Sequence, residues 1–211
     1  MRLGLFGGSF DPPHVGHLLV AQDALAALHL DRLLVIPAAQ QPLKDHHRTS
    51  AVHRLAMVQA CFAGIPGIEV DPVEIERGGL SYMVDTVEAV HRRWPEAVLH
   101  LLVGRDVVPT LPRWHDVDRL LRMVRLVVLT RETAPDGRPL PIDGESDGGV
   151  VAEYLATRRV DISSTEIRSR VRDGRSIRGF VPDAVATYIA STGLYLEHPR
   201  ESIDAERIAR A

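Results

Sequence analysis

The sequence predicts an α/β fold built on a doubly wound parallel sheet, and three observations carry that prediction. Short apolar runs recur along the chain, and each is followed by a stretch with apolar residues at three and four spacing. The first run ends in a glycine turn that leads into a helix.

Taken in order, strands are expected at Leu3–Phe6, Leu33–Ile36, Ile68–Val70, Val98–Val103 and Leu126–Leu129. All are of the buried parallel type, continuous rather than alternating. Helices are expected at Val15–Leu28, Ala51–Phe62, Tyr82–Arg93 and Val117–Met123, which gives the order βαβαβαβαβ. From Arg131 to Gly149 the chain is rich in Pro, Gly and Asp and has no period, so a loop is expected there. A further strand at Val160–Ile162 and helices at Thr165–Arg172 and Asp183–Ser191 follow. These make residues 1–196 one domain with a helical C-terminal subregion over about 163–196, and 197–211 a charged tail.

The 211 residues suffice for one well-buried domain, covering roughly 70% of the unfolded surface. Cys61 is the single cysteine, so a disulfide within the chain and a cysteine zinc site are both excluded, and a reducing cytoplasm fits. The sequence has neither a cleavable leader nor an apolar run of about 18 residues, so no membrane contact is expected. With 25 Lys+Arg against 28 Asp+Glu, the chain lacks the basic excess of a nucleic-acid binder. Any bound anion must be met locally. Lys44 is the only lysine among the basic residues and lies on the loop after the second strand, where a mobile ammonium could follow a departing phosphate.

The opening segment GGSFDPPHVGHL is a local anion site. Gly7 and Gly8 allow a tight turn, Pro12 and Pro13 suit the first turn of a helix, and Asp11 is placed to cap it. Free N–H groups and the dipole at that helix start favour a phosphate, and His14 and His17 share one face beside it. GxGxxG is absent, so the turn is not the dinucleotide fingerprint, and the histidines point to phosphates that react. Metal ligation is disfavoured at a positive helix end without an HExxH pattern, and plain packing of the two rings is the other alternative.

A second phosphate site is read in DISSTEIR, Asp161–Arg168. Ser163 and Glu166 have capping-box spacing, which alone is structural. Arg168 near the positive end of a dipole is unfavourable unless an anion lies there too. Ser163, Ser164, Thr165 and Arg168 could then clamp a polyphosphate.

The two motifs resemble the HxGH and SSTxIR pair of the nucleotidylyltransferase superfamily. The segments PLK with SAVHRLAMV, GLSYMVDT, LLVGRD with LPRW, and DISSTEIRSRVRDGRSIRGFVPDAVATYIASTGLY are similar, in register, to the bacterial nicotinate-mononucleotide adenylyltransferases. The resemblance covers Leu3 to Tyr195 and implies a Rossmann-like nucleotidylyltransferase fold. It implies transfer of AMP from ATP to nicotinate mononucleotide, with Mg²⁺ accompanying ATP. By resemblance, His17 meets the α-phosphate, His14 lies further out, and Ser164, Thr165 and Arg168 hold the ATP side. Gly7, Gly8, Ser9 and Phe10 would line the nucleotide, and Gly104 and Asp106 would lie near the adenosine ribose. Ser81, Tyr82, Thr86 and Trp114 resemble the nicotinate end, where Lys44 is also placed.

Two positions depart from the pattern: Arg105 replaces a small residue, and Leu43 stands where the family often has a histidine. Other readings are an adenylyltransferase for another phosphate acceptor such as phosphopantetheine, a synthetase-like RNA-binding protein, and a non-catalytic nucleotide sensor. A homo-oligomer is left open.

Overall fold

The computed structural model describes residues 1–43, 49–130, 152–158 and 160–196. Six parallel strands form one sheet: β1 (Arg2–Gly8), β2 (Arg32–Pro37), β3 (Ile68–Val70), β4 (Val98–Gly104), β5 (Arg125–Thr130) and β6 (Ala152–Ala156). Their spatial order is β3-β2-β1-β4-β5-β6, so the winding reverses between β1 and β4. Central residues such as Leu5 pair with Leu34 on one side and Leu101 on the other. Burial on both faces explains why β2, β4 and β5 read as continuous apolar runs rather than alternating ones.

Helices cover the two faces separately. On one face α1 (Val15–Ala27), α2 (Ala51–Phe62), α6 (Ser164–Arg172) and α7 (Asp183–Thr192) enclose a core with Phe6, Ala21, Met57, Ile167 and Val185. The other face carries α3 (Val73–Arg77), α4 (Met83–Arg93), a 3₁₀ segment (Arg105–Arg113) and α5 (Val117–Met123), around Leu3, Leu5, Val87, Leu101 and Leu120. Local signals set the helix ends. The Ser163 side chain accepts the Glu166 N–H at 3.1 Å to start α6, and Gly193 closes α7 in the left-handed region at φ 66°.

The structure corrects four expectations. The sixth strand is Ala152–Ala156, whereas residues 160–162 have no regular structure. Its sequence, AEYLA, pairs with β5 on one side only and stays half-exposed, so it lacks the apolar run that marks a central strand. Pro12 and Pro13 lie before α1 rather than in its first turn, since the chain is extended at His14 (φ −146°, ψ 171°) and the helix begins at Val15. His14 is therefore the cap, and Asp11 has other partners. Helix α3 and the 3₁₀ segment were not expected, being respectively too short and broken by Pro109 and Pro112. Lys44, the loop 131–149 and the tail 197–211 lie outside the described residues.

Cys61 is buried on α2, and burial pushes its thiol up to about 12, which leaves it an inert core residue. His100, in the middle of β4, is fully buried. Burial holds its pKa below the usual histidine value, with the Val98 carbonyl and Glu153 opposing that shift and Arg2 and Arg125 adding to it. The fold thus favours the neutral ring, and the unfolded chain takes up the proton first as pH falls below about 6.5. Stability from His100 is complete above that pH and is lost below it. The thermal midpoint is expected to fall by a few degrees between pH 7.5 and 5.5, and His100→Leu should reduce that dependence. An unchanged pH dependence in the variant would remove His100 as its source.

Candidate active site

Strand β1 delivers the Gly7–His14 turn to the point where the sheet reverses its winding, between β1 and β4. Crevices for ligands form at such points, beyond the carboxyl ends of the strands. The turn cannot satisfy its own carbonyls, because Pro12 and Pro13 have no N–H and α1 begins only at Val15. Distant side chains do so. The Arg54 guanidinium donates to the Ser9 carbonyl at 2.9 Å, Arg168 to that of Asp11 at 2.7 Å, and the Ser164 hydroxyl to that of Pro12 at 2.8 Å. The two motifs read separately in the sequence are thus bonded to each other.

His14 and His17 stack with ring centroids 3.7 Å apart, and His17 Nδ1 accepts the His14 N–H at 3.2 Å. With Nδ1 used as an acceptor, the neutral ring carries its proton on Nε2, the donor needed for a phosphate oxygen. The glycine between them is required sterically. A Cβ on Gly16 would lie 3.0 Å from both Cε1 and Nδ1 of His14. Phe10 walls the pair, with its ring edge-on to His17 at 5.0 Å and to Phe6 at 5.6 Å. It is a core residue held in left-handed backbone at φ 49°, and it packs behind the histidines and not in the lining of the neighbouring cavity.

Beside the turn, a cavity of about 640 Å³ opens on the face covered by α3, α4 and the 3₁₀ segment. Gly7, Gly8, Gly104, Asp106, Ser81, Tyr82 and Trp114 all line it, so three stretches distant in sequence converge there. Gly104 leaves room for the next acidic side chain, since a Cβ there would lie 2.5 Å from Asp106 Oδ1. Trp114 donates its indole N–H to the Thr110 hydroxyl at 3.1 Å, which fixes the ring as both packing and wall. Tyr82 lies against the His115 ring with centroids 4.4 Å apart.

Not every expected residue faces this cavity. The Ser9 hydroxyl donates to Gln41 Oε1 at 2.6 Å, and Ser81 Oγ accepts the Ala39 N–H at 2.9 Å while the residue still lines the wall. Thr86 is fully buried, donating to Glu74 at 2.7 Å and accepting from Arg77 at 3.2 Å, so its hydroxyl supports the wall from behind. His14, His17, Ser164, Thr165 and Arg168 gather at the turn rather than on the cavity surface. Asp11, expected as a cap, accepts the Tyr195 hydroxyl at 2.6 Å, and burial with Asp11 nearby raises that phenol. Arg105 is half-buried and outside the cavity lining, whereas Leu43 lines it.

Sequence reasoning missed Glu74, His115 and Arg54. Glu74 is buried, lines the cavity, and has a carboxyl raised by that burial, with Thr86 and Ser81 opposing the rise. His115 directly follows LPRW and could have been found with it.

A winding order with its reversal at β1/β4, two helix starts joined at one turn and an adjacent cavity are the features of a nucleotide-handling α/β protein. Residues 5–170 match the cytidylyltransferase-like family model. The chain is 83% identical, over the full length of both, to a protein of Gemmatimonas aurantiaca named a probable nicotinate-nucleotide adenylyltransferase. It is 40% identical to a protein of the same name from Herpetosiphon aurantiacus, covering 92% of this chain and 98% of that one. Among solved structures, the nicotinic acid mononucleotide adenylyltransferase of Plasmodium falciparum complexed with NaAD has the same fold. It superposes with TM-score 0.72 at 19% identity, over 92% of this chain and 97% of that one. The chain belongs to the nicotinate-nucleotide adenylyltransferase family, within the cytidylyltransferase-like proteins.

Two substitutions separate the histidines' chemistry from their packing. His17→Ala is expected to lower kcat by about 10²-fold or more, by analogy with removal of an oxyanion donor, while the fold survives. Near-normal turnover would sink the role. Gly16→Ala, whose added Cβ would press on the His14 ring, is expected to keep the fold yet to lower kcat at least tenfold by displacing that ring. Unchanged kcat in the folded variant would show that His14's position is immaterial.

Proposed function

We propose that this chain transfers the adenylyl group of ATP to nicotinate mononucleotide, giving nicotinic acid adenine dinucleotide and pyrophosphate in NAD biosynthesis. The observation that carries the reading is the bonding of the SSTEIR helix to the GGSFDPPH turn beside a cavity lined by Gly104, Asp106, Tyr82 and Trp114. It supports reading the joined motifs as a triphosphate clamp beside a nucleoside cavity, at the carboxyl ends of the central strands.

The acceptor's phosphate oxygen is already a nucleophile at neutral pH, so the enzyme supplies positioning and charge stabilisation. That oxygen attacks the α-phosphorus in line, the new P–O bond forms as the bond to the bridging oxygen breaks, and pyrophosphate leaves with the electron pair. His17 is assigned to the α-phosphate through its Nε2–H, and His14 to an oxygen further out. Arg168 uses two of its five N–H groups on Asp11 and Thr165, which leaves three for the departing phosphates, with Ser164 and Thr165 beside it. Asp106 is assigned to the adenosine ribose, and Ser81, Tyr82 and Trp114 to the nicotinate end, Trp114 by stacking.

Mg²⁺ is assigned to the substrate and not to a set of protein ligands, with the nearby Asp11 carboxylate engaged by Tyr195. Mg²⁺ typically keeps its waters and binds substrate phosphates, where it would neutralise charge on the departing pyrophosphate. Residues 1–196 are taken as one domain, working in the cytoplasm. No helix among the described residues is long and apolar enough to cross a membrane.

The reading is tested by pyrophosphate release with ATP and three acceptors. Nicotinate mononucleotide is expected to be used, preferred over nicotinamide mononucleotide by about 10²-fold or more in kcat/KM, because wall N–H donors that meet a carboxylate would oppose an amide NH₂. Phosphopantetheine is expected to give none. Equal use of the acid and the amide would disprove the pocket chemistry, and no release with any pyridine mononucleotide would disprove the reaction.

A further inference from the structure

Arg54 is the largest fully buried side chain among the described residues, and neither phosphate motif contains it. It projects from α2 beneath the carboxyl edge of the sheet and donates to three main-chain carbonyls on three different segments. Nη1 reaches Ser9 in the phosphate turn at 2.9 Å, Nη2 reaches Ala39 after β2 at 2.8 Å, and Nε reaches Thr49 before α2 at 3.2 Å. Its acceptors among the described residues are all carbonyls, while Asp11, Tyr195 and Glu74 act on it through longer-range charge. Burial pushes its pKa down, and those three groups oppose the shift. A lysine could satisfy this geometry only in part, because the three carbonyls are matched by the fixed fork of a guanidinium.

The Ala39 peptide is shared. Its carbonyl accepts from Arg54 and its N–H donates to the Ser81 hydroxyl at 2.9 Å, and the neighbouring Ala38 N–H bonds the Gly8 carbonyl at 2.9 Å. Ser81 in turn lines the cavity beside Tyr82. A continuous set of bonds therefore runs from the Ser9 turn, through Arg54 and Ala39, to the wall of the cavity.

We propose that Arg54 is a positioning residue, which holds the phosphate turn and the acceptor wall in one register so that the attacking oxygen and the α-phosphorus are brought into line. The inference rests on the adenylyl transfer proposed above and adds a residue that touches neither substrate. A misplacement of about 1 Å in such a register costs on the order of 10²-fold in rate. Loss of Arg54 therefore acts on kcat, with binding of each substrate through its own contacts largely kept.

The test is steady-state kinetics of the full chain with both substrates varied, each variant assayed below its own melting midpoint. Wild-type turnover of ATP and nicotinate mononucleotide checks the underlying reaction, and the ratio of variant to wild type checks the inference. Arg54→Lys is expected to lower kcat tenfold or more, with the KM of each substrate within threefold of wild type. Ser81→Ala, which acts on the other side of the Ala39 peptide and leaves Arg54 in place, is expected to lower kcat about threefold. In the double variant the two losses should be less than multiplicative, because they break one connection. A lowered melting midpoint with unchanged kcat in Arg54→Lys would reduce Arg54 to a structural residue. A rise confined to the KM of ATP would make it a charge effect, and either result overturns the proposal. If Arg54→Lys does not fold, Ser81→Ala decides alone: unchanged kcat with a raised acceptor KM overturns it.

Discussion

The carbonyls of the GGSFDPPH turn impose the constraint on which the rest of the site depends. A turn with two prolines before the helix has acceptors it cannot pair locally. Asp11 and Pro12 are buried, so their carbonyls are denied water as well. Ala38 just after β2, Arg54 from α2, Ser164 and Arg168 from α6 each take one of them. Strong donors are needed at Ser9 and Asp11, and arginine provides a charged one in both cases. The turn's shape is thereby fixed by residues up to 157 positions away in sequence. Rigidity at the phosphate site is a property of the completed fold and not of the turn itself.

That arrangement also divides labour across the sheet. The histidine pair and the α6 start belong to the face built from α1, α2, α6 and α7, whereas the cavity belongs to the face built from α3, α4 and the 3₁₀ segment. The carboxyl ends of the central strands are common to both, and Arg54 and Ala39 join them there. The C-terminal end closes the first face: the Phe180 carbonyl takes the Val15 N–H at 2.9 Å, and the Tyr195 hydroxyl holds Asp11. The segments on either side of α7 thus complete the start of α1. On the second face Glu74, a buried residue of the cavity lining, keeps Thr86 and Ser81 in place through their hydroxyls.

Where a residue's environment is set by its neighbours in sequence, the chain was readable in advance. Buried strands such as LLVI and LVVL announce themselves because both faces are apolar, and HxGH announces a histidine pair because three-residue spacing fixes one helix face. The glycine of that motif gains its reason only from the ring that lies over it. Edge strand β6 was misplaced because a half-exposed strand carries little periodic signal, and the 3₁₀ segment was hidden by its two prolines. Arg54 was invisible for a deeper reason. An arginine on an amphipathic helix reads as solvated, and its burial is dictated by carbonyls from three segments that meet only after folding. Phe10 and Thr86 belong to the same class, since their motifs place them near the site while packing turns them away from it.

The central claim is that the phosphate turn is preformed, its carbonyls already held before ATP arrives. A pair of crystal structures tests it most directly, one of the free protein and one with a non-hydrolysable ATP analogue. The account predicts that the backbone from Gly8 to His14 superposes between them to within about 0.5 Å, as in pre-organised sites. Arg168 should keep its bond to the Asp11 carbonyl while its remaining N–H groups turn to the phosphates. A turn that rebuilds on binding, with Arg168 leaving Asp11 to reach the nucleotide, would contradict it.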